Sequence, residues 1–401
     1  MNSRELIMNA VGHKETKKIP IDFGGTTVTG ISASAYKNLL DHLDLDEEIK
    51  IFDVMQQIAH VSDDIKERFN SDVDSLYRPR PRFNIPIYKG WKKVKLDEET
   101  EYLIPSGFNP IKEGKYIVIK DNETVIAKKA GKTDWFNVVY YPMEDKDNIE
   151  DLKNIKLPKY SEEDLDYLKE KAEDLRKKSN RAIVGTIGKE ISASLFESGQ
   201  FLRGYENFMI DIAGNRKYTE YLLDLFVDNF KINFNLFNEA VNTNIDILKI
   251  SDDYGGQSNL LISPDVFKNV FKPRMKKIIK HVKDNSDYKI FFHCDGAIYD
   301  IIPDLTEIGV DILNPVQLTA EGMDINKLKN NFGRDLTFWG GGIDNQKLRG
   351  MNISDIEEQI KRRLEIFSKG GGYVFSTVHN IQAETNPQKI IKIFETVNNF
   401  Y

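Results

Sequence analysis

From residue 182 onward the chain alternates short apolar runs with longer amphipathic stretches, and that rhythm leaves few folds open. The runs AIVGTIG, IDILKISDD, KIFFHCDG, VDILNPVQ, LTFWGGGID and GYVFSTVHN are too short for helices and end in turn residues, so they read as buried strands. The segments between them, including 218–240, 264–281, 297–308 and 353–368, carry helical spacing. Strands alternating with helices imply parallel βαβ units. Two earlier runs, IPIDF and VDSLY, bring the strands to eight, which favours a (β/α)8 barrel over an open sheet. The endings point the same way. Gly188, Asp252-Asp253, His293 to Asp295, Asn314 to Gln317, Asp344 and His379-Asn380 close the runs. A barrel gathers all its strand C-termini at the one face that carries the active site, whereas an open sheet concentrates them at a switch point. The expectation is one α/β (β/α)8 barrel domain spanning 1–401.

The rest of the chain fits around that barrel. Residues 3–13 predict a helix capped by Ser3, and 35–43 and 52–69 predict two more, the second capped by Asp53 or a neighbour. Residues 84–145 break into aromatic and β-branched runs with hairpin turns such as KDNET, a β-rich insertion suited to a flap or a homodimer surface. The charged stretch 146–180 predicts a solvated face with a helix over 162–179. A net charge of −7 argues against a dedicated nucleic-acid binder. The single cysteine excludes a disulfide or a multi-cysteine zinc cage within this chain. The start, MNSRELIMNAVGHKETKK, lacks a signal-peptide core, and no run of about 18 apolar residues could span a membrane. A cytoplasmic protein is expected.

Side chains alternate along a strand, so His293 and Asp295 share a face and Cys294 points away. With His379 from another strand end they form the pattern of a catalytic zinc site, three N/O ligands with a position left open. The alternatives are a His379 that hydrogen-bonds inside the barrel, and ligation by Cys294 in place of Asp295, since thiolate suits zinc better. Asp252, Asp253 and Tyr254 precede GGQ at another strand end. They could orient substrate, act as a base or add a ligand; helix capping and neutralisation by Lys249 are the plainer accounts. Gln317 and Asp344 are candidates for binding polar substrate groups, with capping an equal account of Asp344. WGGGID and KGGGY match neither the dinucleotide nor the P-loop pattern, and their glycines suit tight turns. The stretch LFESGQFLRGYE, read as a helix, carries Glu197, Gln200, Arg203 and Glu206, with Arg203 binding a carboxylate or pairing with Glu206.

The stretches RELIMNAVGHKETKKIPIDFGG, SLFESGQFLRGYENF, FFHCDGAIYDIIPDLTEIGVDILNPVQ, FWGGGID and GGGYVFSTVHNIQAETNP resemble the uroporphyrinogen decarboxylase superfamily. The likeness is to its methyltransferase-like branch, which includes corrinoid-dependent enzymes acting with coenzyme M. The resemblance implies a (β/α)8 barrel with its site at the C-terminal mouth. The methyltransferases place zinc on a His-x-Cys pair and a Cys of the last strand. The matching positions here are His293, Asp295 and His379, a harder ligand set that tilts the expectation towards O-demethylation over thiol alkylation. The arginine-bearing segment that holds tetrapyrrole carboxylates in true decarboxylases is replaced by DFGGTTVTGIS, and the pyrrole-binding Asp is not evident near VDSLYRPR, although Arg78, Arg80 and Arg82 lie close by. The resemblance therefore implies zinc-dependent methyl transfer between a small methylated compound and a thiol or a corrinoid, with Asp252 or Asp253 handling a proton. Any corrinoid would ride on a separate partner protein, because no corrinoid-binding module is visible in this chain. The rival expectations are a decarboxylase or lyase acting on a carboxylated ring compound, and a non-catalytic corrinoid- or tetrapyrrole-binding protein.

Overall fold

In the computed structural model, which describes residues 1–95, 100–130, 133, 135–188 and 194–401, seven parallel strands form one continuous sheet. In sheet order they are Val73–Leu76, Ala182–Thr186, Ile247–Ser251, Lys289–His293, Ile312–Asn314, Thr337–Trp339 and Tyr373–Val374. Order in the sheet follows order in the chain, as right-handed βαβ crossovers require. The two outer strands are joined through residues 19–23. Asp22 donates its N–H to Phe375 O at 2.8 Å and Pro20 O accepts from Phe375 N at 2.8 Å, while on the other side Ile21 O accepts from Asp72 N at 2.7 Å. The Asp72 carboxylate completes that side by accepting the Ile21 N–H at 3.0 Å. IPIDF is thus the eighth stave, kept short by Pro20, which has no N–H to give. The protein is a (β/α)8 barrel.

Strand periodicity divides the interior into two storeys. The lower is apolar: Val73, Ala182, Val184, Ile247, Phe291, Ile312, Trp339 and Val374 meet above Ile7, Ala10 and Val11 of the helix Ser3–Val11. Two residues further along four of the strands the inward residues turn polar: Thr186, Lys249, His293 and Asn314. The alternate residues Ile183, Leu248, Ile290, Phe292, Leu313 and Phe338 face the surrounding helices in the main core. The barrel is closed by apolar packing below and offers polar groups only above.

Several boundaries differ from those the sequence predicts. The first helix is capped by Asn2 in a reciprocal box with Glu5, and Ser3 donates instead to Asp72 at 2.6 Å. Residues 52–69 are not one helix. They form the pair Ile51–Asp53 and Ile58–Ala59, then a short helix, Asp63–Arg68, capped by Ser62. Asp53 accepts the N–H groups of Met55 and Gln56 at 3.0 Å, and Gln57 is left-handed, so the chain turns where its periodicity reads as helical. Within 84–145 the strands Trp91–Lys95 and Glu101–Pro105 form one antiparallel pair. Ile111–Glu113, Tyr116–Asp121, Thr124–Ala130 and Asn137–Val138 form a second antiparallel sheet. Among the described residues no helix is long and apolar enough to cross a membrane.

Candidate metal centre and active site

The polar upper storey opens into a cavity of about 210 Å³ at the C-terminal mouth, with His293, Asp295 and His379 in its wall. One ligand-capable atom from each of these three side chains lies within 4.8 Å of the other two. Around a tetrahedral zinc, ligand atoms sit about 3.3 Å apart, given metal–ligand bonds of ~2.0–2.1 Å, so modest side-chain adjustment closes the trio on one ion. The donor set fits such an ion in other respects. His293 Nδ1 is 2.7 Å from Asn314 Oδ1, and Asn314 Nδ2 donates to Trp339 O at 2.9 Å. The second bond fixes the amide, which in turn places the imidazole proton on Nδ1 and the lone pair on Nε2, towards Asp295 Oδ2 at 3.7 Å. Burial lowers the imidazole of His293 to about 3 and that of His379 to about 4, the latter helped by Lys249. Both rings are neutral at physiological pH. Burial, with Asp253 adding to it, raises Asp295 to about 6, and His293 opposes the rise.

Each member is held by backbone that leaves little play. His379 is left-handed at φ +66°, a strained setting for a residue with a side chain. Asn345 Nδ2 restrains it by donating to the carbonyls of Val378, His379 and Asn380, each at 2.8 Å. Asp295 sits on a loop whose Gly296 N–H goes to Gln317 Oε1 at 2.9 Å. A Cβ on Gly255 would lie 2.3 Å from Asp295 O, so the neighbouring loop approaches as only glycine allows. Cys294 is buried on the opposite side, where its Sγ receives the Tyr254 N–H at 3.3 Å.

Asp252 and Asp253 face different ways. The Asp252 carboxylate accepts the N–H groups of Leu195, Phe196 and Glu197 at 2.9–3.0 Å, together with the Tyr254 hydroxyl. It therefore caps the helix Phe196–Arg203 and does not line the cavity. Asp253 does line the cavity, and its Oδ1 accepts the Asp295 N–H at 2.9 Å. Tyr254 is buried behind it, Gln317 orients the Asp295 loop, and Asp344 caps Asn345–Leu348 by accepting the Gln346 N–H at 3.1 Å. None of these three lines the cavity. Arg203 is bound in an internal ion pair, with Asp211 at 2.7 Å and not with Glu206.

The cavity wall also holds Glu197, to which the sequence assigned no role in the site, Lys249, read there only as neutralising Asp252 and Asp253, and two members of the Arg78 to Arg82 cluster expected to serve a decarboxylase or lyase. Glu197 and Lys249 line it, and Lys249 Nζ is 3.1 Å from both Thr27 Oγ1 and Ser251 Oγ. Burial, then the nearby Arg78, lowers the Lys249 amine to about 7. Burial, then Asp253 and Asp252, raises Glu197 to about 8. Arg78 and Arg82 also reach the cavity, with Arg78 Nε donating to Ile187 O and Arg82 Nε to Asp53 Oδ2, both at 3.0 Å. Arg80 turns away to Asp164 at 2.8 Å. The sequence held one signal for this wall, a lysine inside the otherwise apolar run ILKIS. Thr186 Oγ1 and Gln56 Oε1 are buried at the cavity without hydrogen-bond partners among the described residues, which suits a ligand with polar edges.

A family model described as uroporphyrinogen decarboxylase (URO-D) matches residues 125–400. Among solved structures, the methyltransferase from Methanosarcina mazei shares the fold with a TM-score of 0.63 and 16% sequence identity, over 100% of this chain and 99% of that one. No curated protein matches the sequence.

Proposed function

Because the chain belongs to the uroporphyrinogen decarboxylase family, and because three side chains able to hold a metal converge at the mouth of its barrel, we propose that it is a metal-dependent methyltransferase. Its donor is a small methylated compound, a methoxylated ring being favoured, and its acceptor is a thiol or a corrinoid carried by a separate protein. The convergence of His293, Asp295 and His379 with one side open to the cavity carries this proposal. The fold shared with the methyltransferase from Methanosarcina mazei supports it.

A zinc ion held by those residues supplies a Lewis acid for the atom that parts from the methyl group. The chain's own groups do the rest. Asn314 keeps the His293 lone pair directed at the site, and Asp253 fixes the Asp295 backbone. The cavity, at about 210 Å³, is below the ~300–1,000 Å³ of drug-sized sites, a size that favours a small donor. Arg78 and Arg82 at the wall favour a donor that also carries a negative charge. Those arginines support a second reading, a decarboxylase or lyase acting on a small carboxylated ring.

Elemental analysis separates the two. Wild type is expected to hold about one equivalent of zinc per chain, lost in both His293→Ala and His379→Ala, and to demethylate methoxylated phenols with reduced cobalamin as acceptor. Protein that stays metal-free after reconstitution, yet consumes a carboxylated ring compound, would replace methyl transfer with the second reading.

A further inference from the structure

We propose that Glu197, which lines the same cavity as the ligand trio, is the catalytic acid that protonates the atom from which methyl departs. The inference rests on the methyl-transfer reading and assigns a role to a residue outside the metal ligands.

The first argument is position. Glu197 lies in the first turn of Phe196–Arg203, and that turn is tied to the strand end by three backbone N–H bonds to Asp252. The next residue in the chain, Asp253, accepts the N–H of Asp295. Two adjacent aspartates, facing opposite ways, thus fix the Glu197 helix and the Asp295 loop to one point. Gly199 locks the helix from behind, since a Cβ there would lie 2.2 Å from Phe208. Glu197 and the ligand trio therefore share one cavity on supports that are joined to each other.

The second argument is elimination. Among the acidic and imidazole groups of the cavity, Asp53 is engaged by Arg82 and by two backbone N–H groups, and Asp253 by Asp295 N. His293 bonds Asn314 through Nδ1, and His379 and Asp295 belong to the ligand set. The Glu197 carboxyl, half-buried at the cavity, is not among these engaged groups. Its charged surroundings are Asp253 and Asp252 from the strand end, Lys249 lower on the same strand, and Arg82 from the segment after Val73–Leu76. The two acids and burial outweigh the cations, and the carboxyl is pushed up to about 8, so that it holds a proton at neutral pH.

The step balances. An anionic acceptor, thiolate or reduced corrinoid, forms a bond to the methyl carbon while the bond from carbon to the departing oxygen, nitrogen or sulfur breaks. The departing atom keeps the electron pair and takes the proton of Glu197. The resulting carboxylate recovers a proton from water.

Carbon-13 NMR of protein labelled at the glutamate carboxyls reads the proton directly, without substrate. One carboxyl is expected to titrate near pH 8, in metal-free and zinc-loaded protein alike, and to vanish in Glu197→Gln. Zinc content should be unchanged in that variant, whereas its loss would make Glu197 a ligand and overturn the proposal. With methoxyphenol and reduced cobalamin, Glu197→Gln should lower kcat by about 10²–10⁴-fold with little change in KM and remove the alkaline limb of the pH profile. Glu197→Asp should retain part of the rate and the limb. A Glu197 that titrates below pH 6, or a Glu197→Gln variant that turns over like wild type, overturns the proposal. If wild type transfers no methyl group, the methyl-transfer reading fails, and the carboxyl titration still decides whether Glu197 carries the proton.

Discussion

A single amide, Asn314, decides how one metal-ligand candidate presents its lone pair. Its oxygen takes the His293 Nδ1 proton and its nitrogen is spent on Trp339 O, so it cannot rotate to offer the wrong edge. Asn314→Ala should weaken zinc binding by about 10–100-fold in a chelator competition, with the three ligands intact. Proton competition should be equally selective. The two imidazoles are neutral down to about 4, and only Asp295, at about 6, takes up a proton first as pH falls. Zinc affinity measured by calorimetry should therefore drop about tenfold per pH unit between pH 6 and 4, the slope of one proton. Glu197 yields a stability prediction of opposite sense. Between about pH 4.3, where an unfolded glutamate ionises, and about 8, the folded chain holds a proton that the unfolded chain has released, so stability falls as pH rises. Glu197→Gln should show a Tm above wild type at pH 8 and an equal Tm below pH 4. The pair His293 and Asp295 was legible from strand alternation, whereas the significance of Glu197 was not. An acid in the first turn of a helix is ordinary in sequence, and only the cavity beside it and two acids from a strand end more than fifty residues later make it unusual.

At the scale of elements, the strand end at 251–256 is where several parts of the site are joined. Asp252 reads in sequence as a base or a local cap, because sequence shows caps only a few residues from their helices. Here the capped N–H groups belong to residues 195–197, which only the barrel's curvature brings near. Asp252→Ala should cost about 1–2 kcal/mol in urea denaturation and should also lower the apparent pKa of Glu197 by loosening its turn. The segment 52–69 was misread for a related reason. Its apolar spacing suits a helix, but Asp53 closes a turn through its side chain and leaves Gln56 and Met55 at the cavity edge. The helices 216–241 and 353–367, long and strongly periodic, needed no such correction beyond a residue or two at their ends.

At the scale of the molecule, eight apolar runs were enough to choose a barrel, but not to say how it shuts. Closure depends on residues 20–22, where Ile21 bonds Asp72 on one side while Pro20 O and Asp22 N bond Phe375 on the other, and on Asp72, which takes the Ile21 N–H and the Ser3 hydroxyl with one carboxylate. Asp72→Ala would leave a buried N–H unanswered and release the first helix. A loss of about 2–3 kcal/mol in chemical denaturation is expected, with early proteolysis near residues 12–24.

The apolar lower storey has a kinetic consequence. With Phe291 and Trp339 packed edge to face over the first helix, the cavity is a cul-de-sac, and whatever enters by the upper mouth must leave by it. A small donor and a bulky acceptor cannot pass each other in such a passage. Turnover should follow a compulsory queue, donor before acceptor, and surplus acceptor should slow the reaction by blocking the doorway ahead of the next donor.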